Sequence, residues 1–170
     1  IYLNEAVTTG ATKVELFNRS PVPVDLSGWR IRGRYGEYTI PNGTMINGGQ
    51  YRVIAGLGAI FDPIGGEIAV LDLVGGGPVD RAEYGTEGGA PAPAASFNIS
   101  LARAPDAATM PAPPLDPNFD AYFWTIDLTS TFGAMNDVPN PNPGSSVCIN
   151  EMQQNPGVLP DSLELCNPPV

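Results

Sequence analysis

Histidine is missing from all 170 residues, which removes the usual general base, the commonest metal ligand and any imidazole pH switch. Basic side chains are scarce: 8 Lys and Arg stand against 18 Asp and Glu, a formal net charge of −10. Such a surface repels nucleic acid and anionic lipid at long range, so neither is expected as a partner, while cation binding stays open. Cysteine occurs twice, as Cys148 and Cys166. No apolar run approaches the roughly 18 residues that a membrane span needs, so no membrane insertion is expected. Long helical windows are absent too, because 20 glycines and 19 prolines interrupt nearly every stretch of a dozen residues. No leader is visible; the chain opens directly in a strand pattern at Ile1, which leaves room for a leader already removed.

What is present is short apolar alternation. The apolar share is 42%, ordinary for a globular domain, and it comes in runs of period two separated by turn residues. Val14 and Leu16 alternate with Glu15 and Phe17 in the segment KVELF. Asn18–Pro23 and Asp25–Gly28 read as turns, since proline cannot donate to a strand ladder and asparagine tolerates turn conformations. Trp29 and Ile31 then point one way and Arg30, Arg32 and Arg34 the other. A large aromatic facing Val14 and Leu16 suggests the centre of a two-sheet sandwich. Further strands are expected at 1–5, 38–40, 50–55, 67–73, 79–84, 97–103 and 121–126, with 67–73 and 79–84 forming a hairpin across Gly75-Gly76-Gly77-Pro78. Asn42-Gly43 and Asn47-Gly48-Gly49 are turn signals. About nine strands in this spacing predict an all-β sandwich.

The chain divides into a sandwich over 1–138, a stiff Pro/Asn linker over 139–147, and a repeat over 148–170. Leu3-Asn4-Glu5 recurs as Ile149-Asn150-Glu151, and VELFN at 14–18 as LELCN at 163–167. The second copy reads as the first two strands of the same domain. Ile149, Leu163 and Leu165 are therefore expected to seek an apolar partner, in the first domain or by self-association through 148–170. Cys148 and Cys166 correspond to Tyr2 and Phe17. By alternation they share a face on neighbouring strands, where a disulfide is geometrically reasonable and would suit an oxidising compartment. Closing that loop is worth about 3 kcal/mol on the chain-entropy model. Free thiols are the alternative.

The order of motifs — an INE-type opening, VELFN, PVDLSGW, TIPNGT, YRVI, GPVDRAEYG, SLARAPD and TFGAMN — resembles the lamin tail domain across residues 1–138. The resemblance implies an immunoglobulin-like β-sandwich. In bacteria it implies a non-catalytic module of secreted or surface proteins, often tandem or attached to hydrolases. It supplies no catalytic residue.

Several side chains stand out as candidate sites. Arg30, Arg32 and Arg34, joined by Arg52, form a stripe that could grip carboxylate or phosphate groups; pairing with acids such as Glu15 and Glu37 on the same face is the plainer reading. Asp116 and Asp120, in DPNFD, are candidate calcium ligands, and Asp106, Asp127 and Asp137 are further acids, although the spacing fits no EF-hand loop. Tyr2, Phe17, Tyr35, Tyr122 and Trp124 could make a sugar-stacking platform or pack beneath loops. Asn18, Asn42 and Asn98 open glycosylation triplets but read as turn or strand residues.

Without histidine, a GxSxG elbow or a phosphate-cradling loop, no enzyme class is indicated, and no cofactor is expected. A carboxylate pair that converges only in space is the remaining route to a hydrolase. The preferred expectation is an extracellular or cell-surface module for adhesion, assembly or targeting, whose partner is a protein or glycan. A carbohydrate-binding module using Tyr122 and Trp124 is the alternative.

Overall fold

The computed structural model describes residues 1–73, 77–87, 99–104, 106–109 and 124–138, and the backbone of 148–153 and 162–166. Two units are separated, Ile1–Val138 and Pro139–Val170. Among the described residues there is no helix.

The described residues of the first unit form eleven strands: β1 (Tyr2–Val7), β2 (Lys13–Phe17), β3 (Val24–Asp25), β4 (Arg30–Gly33), β5 (Gly36–Thr39), β6 (Met45–Ile46), β7 (Tyr51–Ala55), β8 (Gly65–Leu71), β9 (Pro78–Gly85), β10 (Ser100–Arg103) and β11 (Trp124–Asp127). One sheet has the order β11-β10-β1-β2-β7, a second β5-β4-β8-β9, and β3 pairs with β6. Every pairing is antiparallel. Leu3, Val14, Leu16, Ile54 and Leu101 of the larger sheet share one buried cluster with Ile31, Ile68, Val70, Ala82 and Tyr84 of the smaller. The all-β sandwich expected from the alternation is therefore present. Each Leu or Ile sealed in that core contributes about 1.5–3 kcal/mol relative to exposure.

Local chemistry explains most boundaries. Pro78 stands at the first position of β9, where a missing N–H costs least. Gly28 takes φ +76° in the turn before Trp29, and a Cβ there would lie 2.8 Å from Leu73 Cδ2. The 67–73 and 79–84 hairpin is β8 and β9. Asn42-Gly43 and Asn47-Gly48-Gly49 are turns but close no hairpin, because β6 pairs with β3 and β7 with β2.

Three local expectations are corrected. Trp29 precedes β4, and its indole is only partly buried against the core; Ile31 is the fully buried residue of that segment. Arg34 lies in the two-residue turn between β4 and β5, not in the strand. Asp25 belongs to β3 rather than to a turn.

A bulge shapes the centre of the larger sheet. Leu3 pairs with Leu16, yet Glu5 pairs with Glu15, so Asn4 is the extra residue. The slip returns Ala6 to the core opposite Val14 and sends Asn4 and Glu5 to the outer face beside Glu15.

The second unit is a hairpin of β12 (Cys148–Gln153) and β13 (Ser162–Cys166). Its register runs Cys148↔Cys166, Ile149↔Leu165, then Glu151↔Glu164, with the same slip at Asn150. Position by position, the β1–β2 ladder is reproduced with its bulge. The side chains of Ile149, Leu163 and Leu165 lie outside the described residues.

Candidate functional site

The arginine stripe lies on the outward face of the smaller sheet. β4 alternates Ile31 into the core with Arg30 and Arg32 outward, and each arginine meets a glutamate. Arg30 Nη1 reaches Glu37 Oε2 at 2.8 Å, and Arg32 Nη2 reaches Glu67 Oε1 at 2.9 Å. Arg34 pairs with Glu87 at 3.3 Å and lies 3.8 Å from Asp62, which is held below the usual carboxylate range, first by the Tyr35 hydroxyl. Arg81 of β9 completes the lattice, 3.4 Å from Glu67 and 3.9 Å from Glu83. Arg32, Arg34, Glu67, Glu83 and Glu87 line an open cleft of about 450 Å³. Acids and bases there already satisfy one another, which leaves little unpaired positive charge for an anion.

One proposed member of that stripe and one proposed partner for it belong elsewhere. Arg52 is exposed on β7, in the other sheet. Glu15 is fully buried on β2, because strand alternation places it on the outer face of the larger sheet, beneath a covering loop. Exposed ion pairs contribute at most about 1 kcal/mol each. Arg32→Ala should therefore leave the denaturant midpoint nearly unchanged and should not alter retention on a heparin column at low salt. A clear loss of retention would restore the anion-binding reading.

The aromatic platform is corrected more sharply. Trp124 is 4% exposed and Phe17 5%, both inside the fold. The Arg103 guanidinium lies 4.8 Å from the centre of the Trp124 ring, and Phe17 packs on Tyr51 at 4.8 Å. Tyr35 is the exposed member, and Tyr122 lies outside the described residues. Asp116 and Asp120 also lie outside them. Among the described residues no group of three or more Asp, Glu or Cys side chains is arranged to hold a metal ion. Asn18 is buried and donates to the Val22 carbonyl at 2.8 Å and the Ile46 carbonyl at 3.2 Å, whereas Asn42 is exposed. Asn98 lies outside the described residues.

The densest chemistry is a buried polar network over the bulge. The Asn4 amide nitrogen donates to Glu15 Oε1 and Asp106 Oδ2, each at 2.9 Å, while its oxygen accepts the Ala107 N–H at 2.8 Å. Asp106 also accepts the Asn136 N–H at 2.8 Å and the Tyr51 hydroxyl at 2.6 Å. The Asn136 amide donates to the carbonyls of Asn4, 3.1 Å, and Arg103, 2.9 Å. Residues 128–138 thus form a strap across the outer face. Thr131 N–H donates to Glu5 at 3.2 Å, Gly133 N–H donates to Glu15, and Lys13 Nζ sits 3.6 Å from the centre of the Phe132 ring. Gly133, at φ +91°, makes the approach with a backbone that few other residues adopt.

These groups have altered acidity. Burial pushes Glu5 up to about 7; the Ser100 hydroxyl opposes the shift, and the neighbouring charges of Glu15 and Asp127 add to it. Burial also raises Glu15, against hydrogen bonds from Gly133 and Asn4. The Tyr51 phenol is raised by burial and by its bond to Asp106. A second buried contact ties the sheets together: Arg103 Nη2 meets Asp80 Oδ2 at 2.8 Å, and Arg103 Nε donates to the Leu3 carbonyl at 2.7 Å. Asp80 accepts the Leu3 N–H at 2.6 Å. The sequence reading named Glu15 only as a partner for the arginines and Asp106 and Asp127 only as loop acids near a candidate calcium site, so the network itself escaped it. Its one visible signal is the pair of adjacent polar residues, Asn4-Glu5, inside an apolar strand and repeated at Asn150-Glu151.

No family model, curated protein or solved structure matches the chain.

Among the described residues, then, the outer face of the larger sheet is covered by its own strap, and the outer face of the smaller sheet is an ion-paired lattice. Asn4, Glu5, Ser100, Arg103, Asp106 and Asn136, the polar residues that the motifs contribute here, bind one another, Glu15, Asp80 and the backbone.

Proposed function

We propose that the chain is a non-catalytic interaction and spacer module of the lamin-tail type, with an immunoglobulin-like sandwich, used in repeats on a secreted or cell-surface bacterial protein. The observation that carries this reading is the recurrence of the β1–β2 register, bulge included, in β12–β13. A chain that repeats its own central hairpin suits an array, where weak contacts to a surface protein or glycan gain from multiplicity. The buried network supports the same reading, because its acids and amides hold loops in place and are not presented to a substrate.

The test is a screen of the whole chain against glycosidase, esterase, phosphatase and nuclease substrates, with and without divalent cations. No turnover is expected; turnover that Asp106→Asn removes without unfolding the chain would overturn the reading.

Localisation outside the cell is tied to the cysteines. Cys148 and Cys166 are directly opposed in the ladder, which suits a disulfide across the hairpin. Thiol titration of the protein isolated without reductant should find no free thiol until reductant is added. Two titratable thiols at the outset would contradict an oxidising compartment.

A further inference from the structure

We propose that Asn47 is the residue at which the chain ages: its side chain closes on the Gly48 nitrogen, and the ring reopens to leave an isoaspartate between β6 and β7. The inference concerns a covalent modification site and does not rest on the functional reading above.

Only two asparagines in the sequence precede glycine, Asn42 and Asn47. A following glycine has no Cβ to shield its nitrogen or restrict its backbone, so both pairs start with similar intrinsic reactivity. Both asparagines are exposed. Asn4, Asn18 and Asn136 are buried, and they precede Glu, Arg and Asp.

The reaction needs only water. The Gly48 nitrogen, giving its proton to solvent, attacks the carbonyl carbon of the Asn47 side chain. A new C–N bond forms, the bond to the side-chain nitrogen breaks, and ammonia leaves with a proton taken from solvent. Water then opens the succinimide at either of its carbonyls, giving aspartate or isoaspartate. Nothing is oxidised or reduced.

The fold separates the two pairs. The Gly43 N–H donates to Ser27 Oγ at 2.8 Å, and that hydroxyl is turned onto Asp25 Oδ1. The nitrogen that must lose a proton at this turn is therefore tied down, one hydroxyl away from a carboxylate whose charge disfavours an amide anion. The Gly48 N–H has no hydrogen-bond partner among the described residues. Giving up its hydrogen bond should slow ring closure at Gly43 by about two- to tenfold relative to Gly48.

The product has consequences because of how the loop is fastened. The Gly49 N–H donates to the Asn18 carbonyl at 2.8 Å, and the Asn18 N–H to the Gln50 carbonyl at 3.0 Å. Gly48 lies so close to the Ser20–Pro21 backbone that a Cβ there would run into the Pro21 carbonyl oxygen. An isoaspartate routes the main chain through its own Cβ and so adds one backbone atom before Gly48. That extra length must be taken up at the Pro21 contact or at the Asn18 bonds, just ahead of β7.

The experiment is peptide mapping by mass spectrometry, with an isoaspartate assay, on the whole chain incubated at mildly alkaline pH, both folded and in denaturant. In the folded chain Asn47 should convert about two- to tenfold faster than Asn42. In denaturant the two rates should converge. Ser27→Ala should raise the Asn42 rate and leave the Asn47 rate unchanged; Asp25→Asn, which removes only the charge, should raise it less and serves if Ser27→Ala folds poorly. The isoaspartate fraction should unfold at lower denaturant than fresh protein, whereas Asn47→Asp, with its backbone intact, should not. Equal rates at the two sites in the folded chain, a faster Asn42, an Asn42 rate that neither variant raises, or an isoaspartate fraction as stable as fresh protein would each overturn the proposal.

Discussion

Arg103→Ala should cost about 3–5 kcal/mol, the loss expected when one partner of a buried ion pair is removed and the other is left behind. The substitution strips Asp80 of its guanidinium and leaves the Leu3 carbonyl without the Nε donor, at the point where β10 of one sheet meets β9 of the other. It also removes the cation stacked on Trp124. For a chain of this size the loss corresponds to a fall of about 10 °C in the melting temperature. Arg103→Lys should recover only part of it, since an ammonium keeps the charge but cannot serve Asp80, the Leu3 carbonyl and the indole face together. If thermal melts of Arg103→Ala and wild type coincide, the two sheets are not tied through this residue.

Asn4→Ala should have a comparable effect, because that amide serves Glu15, Asp106 and the Ala107 N–H at once. Leaving these groups unpaired in a buried site costs about 1–3 kcal/mol for each. The more discriminating variant is Asn4→Asp, which keeps the shape but sets another carboxylate against Glu15 and Asp106. At neutral pH it should be worse than alanine, and the gap should narrow as pH falls and the cluster takes up protons. Denaturant midpoints at two pH values give both comparisons. If aspartate were tolerated better than alanine at neutral pH, the picture of an acid-rich, amide-stapled cluster would be wrong.

These effects centre on residues that alternation alone does not single out. Val14, Leu16 and Ile31 were legible as core because a pleated strand turns every second side chain inward. The β8–β9 hairpin was legible from its glycine-rich turn. Trp29 misled because size suggested centrality, whereas the turn at Gly28 sets its indole at the margin. Glu15 misled for a related reason: a charged residue between Val14 and Leu16 reads as solvent-facing when nothing in the strand reveals that a distant loop covers it. That cover comes from far along the chain. The Asn4–Asp106 bond spans 102 residues and the Asn4–Asn136 contact 132, separations that no local periodicity encodes. The bulge at Asn4 is local, but only pairing with Leu16 and Glu15 makes it visible.

The most direct test of the central claim, that the motif residues are internal staples, is hydrogen exchange of three backbone amides in the whole chain. The Ala107, Gly133 and Asn136 N–H groups donate to Asn4, Glu15 and Asp106 respectively. They should exchange as slowly as the central amides of β1 and β2, although all three lie outside regular strands. Exchange of all three at the rate of an open loop would contradict the account and leave the acids of this face free for other chemistry.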